Sequence, residues 1–539
     1  MDYLLSLIVF SPLIGIVLLL FVKNNQKQTI RWIALGTVLV QMGFTALLAM
    51  RFEFWTGARV LTEAFQAVEK IRWISLDLGQ AGRFAIDYHV GVDGIGFPLV
   101  LLSSLILVIG VVASWQLQKQ VKGYFILYLL LSTSIMGCFV ALDFFLFYLF
   151  FELMLLPMFF LIGIWGGPRR SYASIKFFIY TLLGSLLILI VMIGLYLAAA
   201  EPGMAGSKVV HTFNLLYLMD GSNYLPDSML SPGAGAILFG HPARWMAFLA
   251  LMIGFAIKLP AVPVHTWLPD AHVEAPTAIS VILAALLLKV GGYGFFRIAY
   301  TLFPEAAIHY ARPIAIFGLI SIVYGGLNAT AQRDLKRLIA YSSVSHMGFV
   351  LVGLAALTAE GAEGAMFQMV SHGLISGALF LLVGVVYDRT HDRLIENYSG
   401  LVSRMPGYTV LVVGVFFASM GLPGMSGFVG ELLVLMGAFG SQEANGLLPV
   451  WVGFVAISGI VISAVYYLWT IQRMFFGKYF VREEKWEPFM KDLSAREWVM
   501  LVPLMVLIVM LGIFPRLLLD PMNETINLFM AHLTGTITP

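Results

Sequence analysis

The most informative part of the sequence is residues 255–294, FAIKLPAVPVHTWLPDAHVEAPTAISVILAALLLKVGGYG. Two lysines, Lys258 and Lys289, lie in runs that are otherwise apolar enough for lipid, and a Pro-rich break separates the two runs. A charge near the bilayer centre costs about 2.5–3.5 kcal/mol on insertion scales, so a lysine at that depth indicates a function and requires a partner. The rest of the chain must supply that partner.

The composition of the whole chain is that of a membrane protein. Its 539 residues are 60% hydrophobic and only 12% charged, with a mean hydropathy of +0.90, far outside the soluble range. The net charge of +2, without a basic arm or finger spacing, indicates no nucleic-acid partner. Cys138 is the single cysteine, which excludes a disulfide framework and makes iron–sulfur or thiolate zinc sites untenable.

Fourteen apolar runs are long enough to span a bilayer, which takes about 20 residues each. None shows the alternation of a membrane β-barrel strand, so we predict an all-α polytopic membrane protein. The first run lacks a preceding basic region, so we expect a retained helix rather than a secretory signal. The runs are 3–22, 30–50, 90–115, 123–142, 144–165, 172–199, 245–268, 275–299, 312–331, 337–358, 363–387, 407–439, 450–474 and 498–519.

Lysine and arginine are distributed unevenly between the loops. The loops after odd-numbered runs carry 20 of them, against 10 in the other loops and the C-terminal tail. Cytoplasmic loops are enriched in these residues, so both termini are predicted to face away from the cytoplasm. Segment 51–89 contains two short alternating runs around Gly79 and Gly82, which predict an exposed β-hairpin.

Two runs are interrupted by proline and glycine, at KLPAVPVHTWLP (258–269) and at GLPGMSGFVGE (421–431). The interrupted runs stand five helices apart, and paired broken helices in inverted repeats are the best sequence indication of a transport site. We therefore predict two inverted five-helix units, although chance similarity of the two breaks is an alternative. The predicted organisation is 1–122, with three helices and the hairpin; 123–300 and 312–476, the two units; and 477–539, a cytoplasmic loop, the last helix and the tail.

Glu152 is the only charge in run 144–165. A lone carboxyl in lipid would stay protonated, but beside a lysine it could ionise, and Lys258 lies at a similar depth. The separation of such a pair controls whether the lysine keeps its proton, which is the minimum for a proton-translocating element. A static structural ion pair is the alternative.

Four more ionisable residues extend this set. Lys289 lies deep in its run, Glu431 follows the second break, and His346 and His372 come with serines on both sides. An imidazole can give and take a proton near neutral pH, so these groups could form a lateral relay with Glu152 and Lys258. The alternatives are that Lys289 snorkels to a headgroup and that the histidines only pack.

Other polar residues near the first break are interpreted as structural. His265 and His272 flank Asp270, but metal ligation by this cluster is disfavoured. Asp143 and Asp270 stand at predicted helix boundaries and are expected to be helix caps.

Four segments resemble one family. PAVPVHTWLPDAHVEAPTAISVILAALLLKVGGYGFFRI, QRDLKRLIAYSSVSHMGFV, SHGLISGALFLLVGVVYDR and GLPGMSGFVGE are similar to the antiporter-like membrane subunits of respiratory complex I, most closely the M type. The resemblance covers nearly the whole chain and implies fourteen helices with two inverted five-helix units and a hydrated axis. It implies a coupling pair at Glu152 and Lys258, a central relay lysine at Lys289, and polar axis positions at His346 and His372. Glutamate at 431, where other members have lysine, resembles the M type.

The resemblance implies a proton-pumping subunit of NADH:quinone oxidoreductase in a prokaryotic cell membrane. This chain has no flavin, dinucleotide or cluster motif, so FMN, iron–sulfur clusters and quinone are expected in partner subunits, which include two further antiporter-like subunits. Two other functions remain open: a subunit of a multisubunit cation/proton antiporter, and a structural membrane scaffold without its own channel.

Overall fold

The computed structural model describes residues 3–77, 83–202 and 209–535. Within these residues, twelve helices are long and apolar enough to cross a membrane. The first six are α1 (Leu4–Phe21), α2 (Lys27–Arg51), α3 (Gly96–Ala113), α4 (Val121–Val140), α5 (Phe144–Trp165) and α6 (Arg170–Ala198). The other six are α8 (Thr277–Tyr300), α9 (Ala311–Thr330), α10 (Leu335–Ala356), α11 (Ala359–Thr390), α13 (Trp451–Phe475) and α14 (Ala495–Ile513).

Two further spans are broken, as the sequence predicts. The seventh consists of α7a (Ala243–Lys258) and α7b (Trp267–Glu274), and the twelfth of α12a (Pro406–Ser419) and α12b (Ser426–Ala444). The all-α polytopic architecture and both breaks are therefore confirmed. The inverted relation of the two units and the four-part division of the chain remain predictions.

Two predicted boundaries are wrong. The run 90–115 begins in a strand, and α3 starts only at Gly96, because its first residues pair with the preceding strand. The run 498–519 is interrupted after Ile513, and a separate helix α15 (Arg516–Thr534) follows Pro515, which cannot donate a helical hydrogen bond.

The predicted hairpin is present as β1 (Gln66–Asp77) paired antiparallel with β2 (Arg83–Val92), while Gly79 and Gly82 lie outside the described residues. Side chains of β1 such as Trp73 are exposed. The Glu69 carboxylate accepts the Leu5 N–H at 2.7 Å, and the His89 carbonyl accepts the Leu142 N–H at 2.9 Å. The hairpin is therefore fixed to the helix ends beneath it.

Where the structure describes them, the other connecting segments contain only short elements. The two remaining sheets are β3 (Ile237–Leu238) with β4 (His241–Pro242), and β5 (Tyr398–Ser399) with β6 (Phe480–Val481). Short helical turns occupy Leu61–Glu63, Leu215–Leu218, Gly221–Asn223, Pro304–His309, Ile395–Asn397, Leu401–Ser403 and Glu484–Phe489.

Burial separates central helices from peripheral ones. The apolar windows of α8 and α11 are entirely buried within the chain, and that of α10 almost entirely, whereas most of α2, α6 and α13 faces outward. The segments carrying Lys289, His346 and His372 are therefore the centre of the molecule. Lipid or a neighbouring chain must cover the apolar periphery.

Candidate functional site

Glu152 lies where α5 is interrupted. Regular helix runs from Phe144 to Leu153 and resumes at Leu155, because Pro157 lacks an N–H and its ring opposes the Leu153 carbonyl. The Glu152 side chain is half-buried, and its Oε1 has no hydrogen-bond partner. A carboxyl with one unpaired oxygen beside a helix interruption can respond to a nearby charge. The predicted cap Asp143 is confirmed, because its carboxylate accepts the Leu146 N–H at 3.0 Å.

Lys258 is the last residue of α7a and is buried among aromatic rings. Its Nζ has no hydrogen-bond partner and lies 4.9 Å from the ring centre of Phe151 and 5.6 Å from that of Phe177. Phe151 is the chain neighbour of Glu152, so the ammonium lies close to the segment that carries this carboxylate, but no ion pair within 4.0 Å joins the two side chains. The structure therefore brings the two groups near each other, with the ammonium held over ring faces.

Hydrogen bonds with side chains stabilise the unwound backbone in the break of the seventh span. The Trp267 indole N–H donates to the Ile257 carbonyl at 2.8 Å, and the Val262 N–H donates to the Ser321 hydroxyl at 2.9 Å. These bonds satisfy backbone groups that unwinding would otherwise leave unpaired in the membrane. A Cβ on Gly291 would stand 2.7 Å from the Leu259 nitrogen, so only glycine lets α8 run against the break.

Lys289 lies between two π-helical segments of α8, Leu283–Leu287 and Phe295–Tyr300. Its Nζ donates to the Ala284 carbonyl at 2.7 Å and lies 2.7 Å from the Nδ1 of His372. Lys289 is fully buried, so it does not reach a headgroup. Wide helical turns of this kind are frequent at functional sites.

His346 and His372 bring Lys289 close to Glu431. The two imidazole rings are 5.6 Å apart, and His346 Nδ1 lies 3.2 Å from the Glu431 Oε1. Side chains of this group line a cavity of about 10 Å³, close to the space that one water molecule needs. The structure thus brings four of the six predicted residues into one buried cluster.

The backbone of the second break makes room for the Glu431 carboxylate. Gly421 has a positive φ of 76°, and a Cβ there would stand 2.6 Å from the Glu431 Oε2. This Oε2 has no hydrogen-bond partner. The break therefore provides space for the carboxylate at the start of α12b.

Two residues that contact His346, Ser419 and Gln368, and Tyr467, which contacts Ser419, are missing from the sequence prediction. The Ser419 hydroxyl contacts His346 Nε2 at 3.2 Å and the Tyr467 hydroxyl at 2.7 Å, while the Gln368 amide lies 3.5 Å from His346 Nδ1. The signal that could have identified Ser419 is its position directly before the second break. Tyr467 and Gln368 have no comparable signal in the sequence.

Lys336 is another buried residue that is absent from the predicted site. It lies between the predicted runs 312–331 and 337–358, but it is buried and its Nζ donates to the Ala275 carbonyl at 2.6 Å. His272 stacks on Phe380 at 4.4 Å, has no hydrogen-bond partner on either ring nitrogen, and interacts electrostatically with both Lys336 and Lys289.

Asp270 is an ion-pair residue, and its prediction as a helix cap is wrong. Its carboxylate lies 2.7 Å from Lys176 Nζ, 3.7 Å from Arg169 and 3.8 Å from Arg337, while Thr266 holds the N-cap position of α7b. Lys176 on α6, Arg337 on α10 and Arg169, the residue before α6, surround this carboxylate with positive charge. Among residues 3–77, 83–202 and 209–535, no group of three or more His, Cys, Asp or Glu side chains could hold a metal.

A buried ion pair joins the hairpin to α8. Arg297 Nη2 lies 2.6 Å from the Asp93 Oδ1, with both side chains almost fully buried. Arg297 Nε also donates to the Tyr293 hydroxyl at 3.1 Å. This pair is not evident in the sequence, because Arg297 stands near the end of the predicted run 275–299.

Buried ionisable groups beside two broken helices define a class of protein, the ion-translocating membrane subunits. The family model of NADH:quinone oxidoreductase/Mrp antiporter transmembrane proteins matches residues 141–458. NADH-quinone oxidoreductase subunit M of Rhodobacter capsulatus is 42% identical over 537 residues, covering 99% of this chain and 96% of the relative. NADH-ubiquinone oxidoreductase chain 4 of Arabidopsis thaliana is 37% identical over 530 residues, covering 98% and 97%.

Solved structures of related membrane complexes contain chains with the same fold. A chain of respiratory complex I from Thermus thermophilus with bound NADH aligns with a TM-score of 0.78 at 29% identity, covering 98% of this chain and 99% of that chain. A chain of the Mrp complex from Dietzia sp. DQ12-45-1b aligns with a TM-score of 0.78 at 19% identity, covering 99% of both, and shows a shared fold. This chain belongs to the NADH:quinone oxidoreductase/Mrp antiporter family, within it to the subunit M (chain 4) type, the antiporter-like membrane subunits of proton-translocating complex I.

Proposed function

We propose that this chain moves protons through a relay of Glu152, Lys258, Lys289, His372, His346 and Glu431. The observation that supports the relay best is the series of close approaches from Lys289 to Glu431. Lys289 lies 2.7 Å from His372, the two imidazole rings are 5.6 Å apart, and His346 lies 3.2 Å from the Glu431 carboxylate. These buried groups all exchange protons.

The central step is a transfer from Lys289 to His372. An ammonium at Lys289 donates to Nδ1 only if His372 is neutral with its proton on Nε2. Transfer along this contact makes His372 an imidazolium, which faces His346 and the Glu431 carboxylate beyond it. Ser419 fixes the His346 ring through Nε2, so its Nδ1 stays directed toward Glu431.

The first step depends on Glu152 and Lys258. Lys258 rests on the rings of Phe151 and Phe177 without an anionic partner within 4.0 Å. Approach of the Glu152 carboxylate favours the protonated lysine, and withdrawal favours release of the proton. Because Gly291 lets α8 pack against the end of α7a, release of this proton occurs beside the helix that carries Lys289.

The remaining parts of the enzyme lie in other subunits. FMN, iron–sulfur clusters and quinone belong to partner chains, which include two further antiporter-like subunits. The chain lies in a prokaryotic cell membrane with both termini on the non-cytoplasmic side, as the loop charges indicate. The units 123–300 and 312–476 each contribute one broken helix to the relay.

Proton uptake per NADH oxidised, measured in vesicles containing the reconstituted complex, tests the relay. Glu152→Gln and Lys258→Ala remove the two charges of the first step. Glu443→Gln and Lys23→Ala remove the same types of charge from exposed positions and serve as controls. We expect a lower ratio in the first two variants and the wild-type ratio in the controls, at equal amounts of assembled complex.

An unchanged ratio in both Glu152→Gln and Lys258→Ala would refute the relay. A purely structural role predicts poorer assembly with normal pumping in the complexes that do assemble. The same preparation tests the antiporter alternative, because absorbance of flavin and iron–sulfur clusters should co-purify with the chain.

A further inference from the structure

We propose that segment 209–244, with α6 and α7a, forms a binding site for one phospholipid that has an amine-bearing headgroup. Two cavities adjoin at this place, and they share Met229 and Ala243 in their linings. One cavity is apolar and extends between the helices, and the other contains an ion pair. The combination is amphipathic, as is a phospholipid. The proposal is independent of the proton relay.

The apolar cavity has a volume of about 560 Å³, within the range of ligand pockets. It exists because small residues face one another across it, namely Gly194 on α6 and Ala247 and Ala250 on α7a. Its lining includes Ile190, eight residues before the end of α6 at Ala198, which is about 12 Å along the helix axis. The cavity therefore extends into the apolar layer, where an acyl chain can lie.

The polar cavity, of about 380 Å³, lies at the start of α7a. Arg244 Nε donates to the Glu305 carboxylate at 2.5 Å, and the guanidinium also donates to the Leu230 and Leu302 carbonyls at 2.9 and 2.7 Å. Trp245 borders the cavity and stacks on His309 with 3.7 Å between the ring centres. Tryptophan is enriched at membrane–water interfaces. The polar cavity thus lies at headgroup level.

The two charges match a zwitterionic headgroup. The Arg244 guanidinium donates to both oxygens of Glu305 and to two carbonyls, which leaves one Nη1–H for a phosphate oxygen. The Glu305 side chain is 44% exposed and can accept further hydrogen bonds from an ammonium. A headgroup carrying phosphate and a primary amine can use both the remaining N–H of Arg244 and the exposed carboxylate of Glu305. A quinone ring is uncharged and would use neither, and an anionic headgroup would face the exposed carboxylate.

The surface around the apolar cavity is formed by exposed apolar side chains, which lipid chains can contact. Ile190, Leu197 and Phe239 are 67%, 57% and 84% exposed, and all three line the cavity. An apolar, outward-facing slot that opens from a charged pocket admits a single chain attached to a polar headgroup. The whole arrangement depends on segment 209–244, which lines both cavities.

Site-specific photolabelling tests the proposal. The purified complex is reconstituted with phosphatidylethanolamine that carries a diazirine within one acyl chain, illuminated, and mapped by peptide mass spectrometry. We expect labelling of Met229 and Met246, which both line the apolar cavity. Ala250→Phe fills the cavity and should reduce the labelling about tenfold, whereas Leu183→Phe, at a 58% exposed position of α6 outside the cavity, should leave it unchanged.

Headgroup selectivity supplies the second measurement. In the wild type, unlabelled phosphatidylethanolamine should compete at least tenfold better than phosphatidylglycerol, and Glu305→Gln should abolish this preference. Equal labelling in the wild type and Ala250→Phe would overturn the site. Better competition by a quinone or by phosphatidylglycerol would overturn the assigned ligand. If a photocrosslinker at position 239 reacted with a neighbouring subunit and the lipid probe gave no labelling, the cavity would be occupied by protein and the lipid site would be overturned.

Discussion

Replacing Gly421 with alanine tests how the second broken helix holds Glu431. An added Cβ would stand 2.6 Å from the Glu431 Oε2, whereas ordinary contacts begin at 3.4 Å, so the carboxylate must retreat by about 0.8 Å. Its other oxygen lies 3.2 Å from His346 Nδ1. A displacement of that size is enough to take this contact to about 4 Å, beyond hydrogen-bonding range.

Gly424 provides a matched control in the same break. Its φ is +91°, and no atom lies within 4 Å of an added Cβ. Alanine at either position therefore costs about 1–2 kcal/mol of left-handed backbone strain. Only Gly421→Ala also lengthens the 3.2 Å contact between the Glu431 carboxylate and His346.

The assay is proton uptake per NADH oxidised in vesicles with equal amounts of assembled complex. We expect Gly421→Ala to lower the ratio and Gly424→Ala to preserve it, although both variants should lose some thermal stability. Equal ratios in the two variants would refute the assignment of the His346–Glu431 contact to proton transfer.

Two further predictions concern packing and pH. Gly291→Ala should reduce assembly of the complex, because the added Cβ would stand as little as 2.7 Å from backbone atoms at the end of α7a and overpacking costs about 1–3 kcal/mol. Gly43→Ala is the control, because open space surrounds its Cβ, and it should assemble normally. Quantitative blotting of the assembled complex checks both variants. Burial and the nearby Asp87 carboxylate raise the pKa of Asp143 to about 7, so the wild type loses stability as the pH rises from about 4 to 7. Asp143→Asn should therefore raise the apparent melting temperature more at pH 8 than at pH 5, because it removes up to about 4 kcal/mol of destabilisation caused by ionised Asp143. An equal increase at both pH values would contradict the raised pKa of Asp143.

The buried charges could be predicted because a charge in an apolar run is conspicuous. Lys258, Lys289 and Glu431 stand out by composition alone, and the two breaks stand out through proline and glycine. Lys336 lies among other basic residues near a predicted loop, so its burial follows only from the way α10 packs against α7b. Ser419 and Tyr467 belong to residue types that are common in membrane helices.

Distances between helices were not predictable from the sequence. Similar depth suggested a pair between Glu152 and Lys258, but the helix interruption after Leu153 and the rings of Phe151 and Phe177 determine their actual separation. The contact of Lys289 with His372 likewise depends on the close packing of α8 against α11. Such packing is a property of the whole chain rather than of one segment.

The central claim is that protons cross between the Lys258 and Lys289 sites and on to Glu431 through the interior of the chain. A structure of the intact complex at a resolution that shows ordered water tests this claim most directly. The account predicts water and polar side chains bridging Lys258, Lys289 and Glu431 in at least one state of the turnover cycle. A dry, apolar gap between any two of them in every state would contradict it.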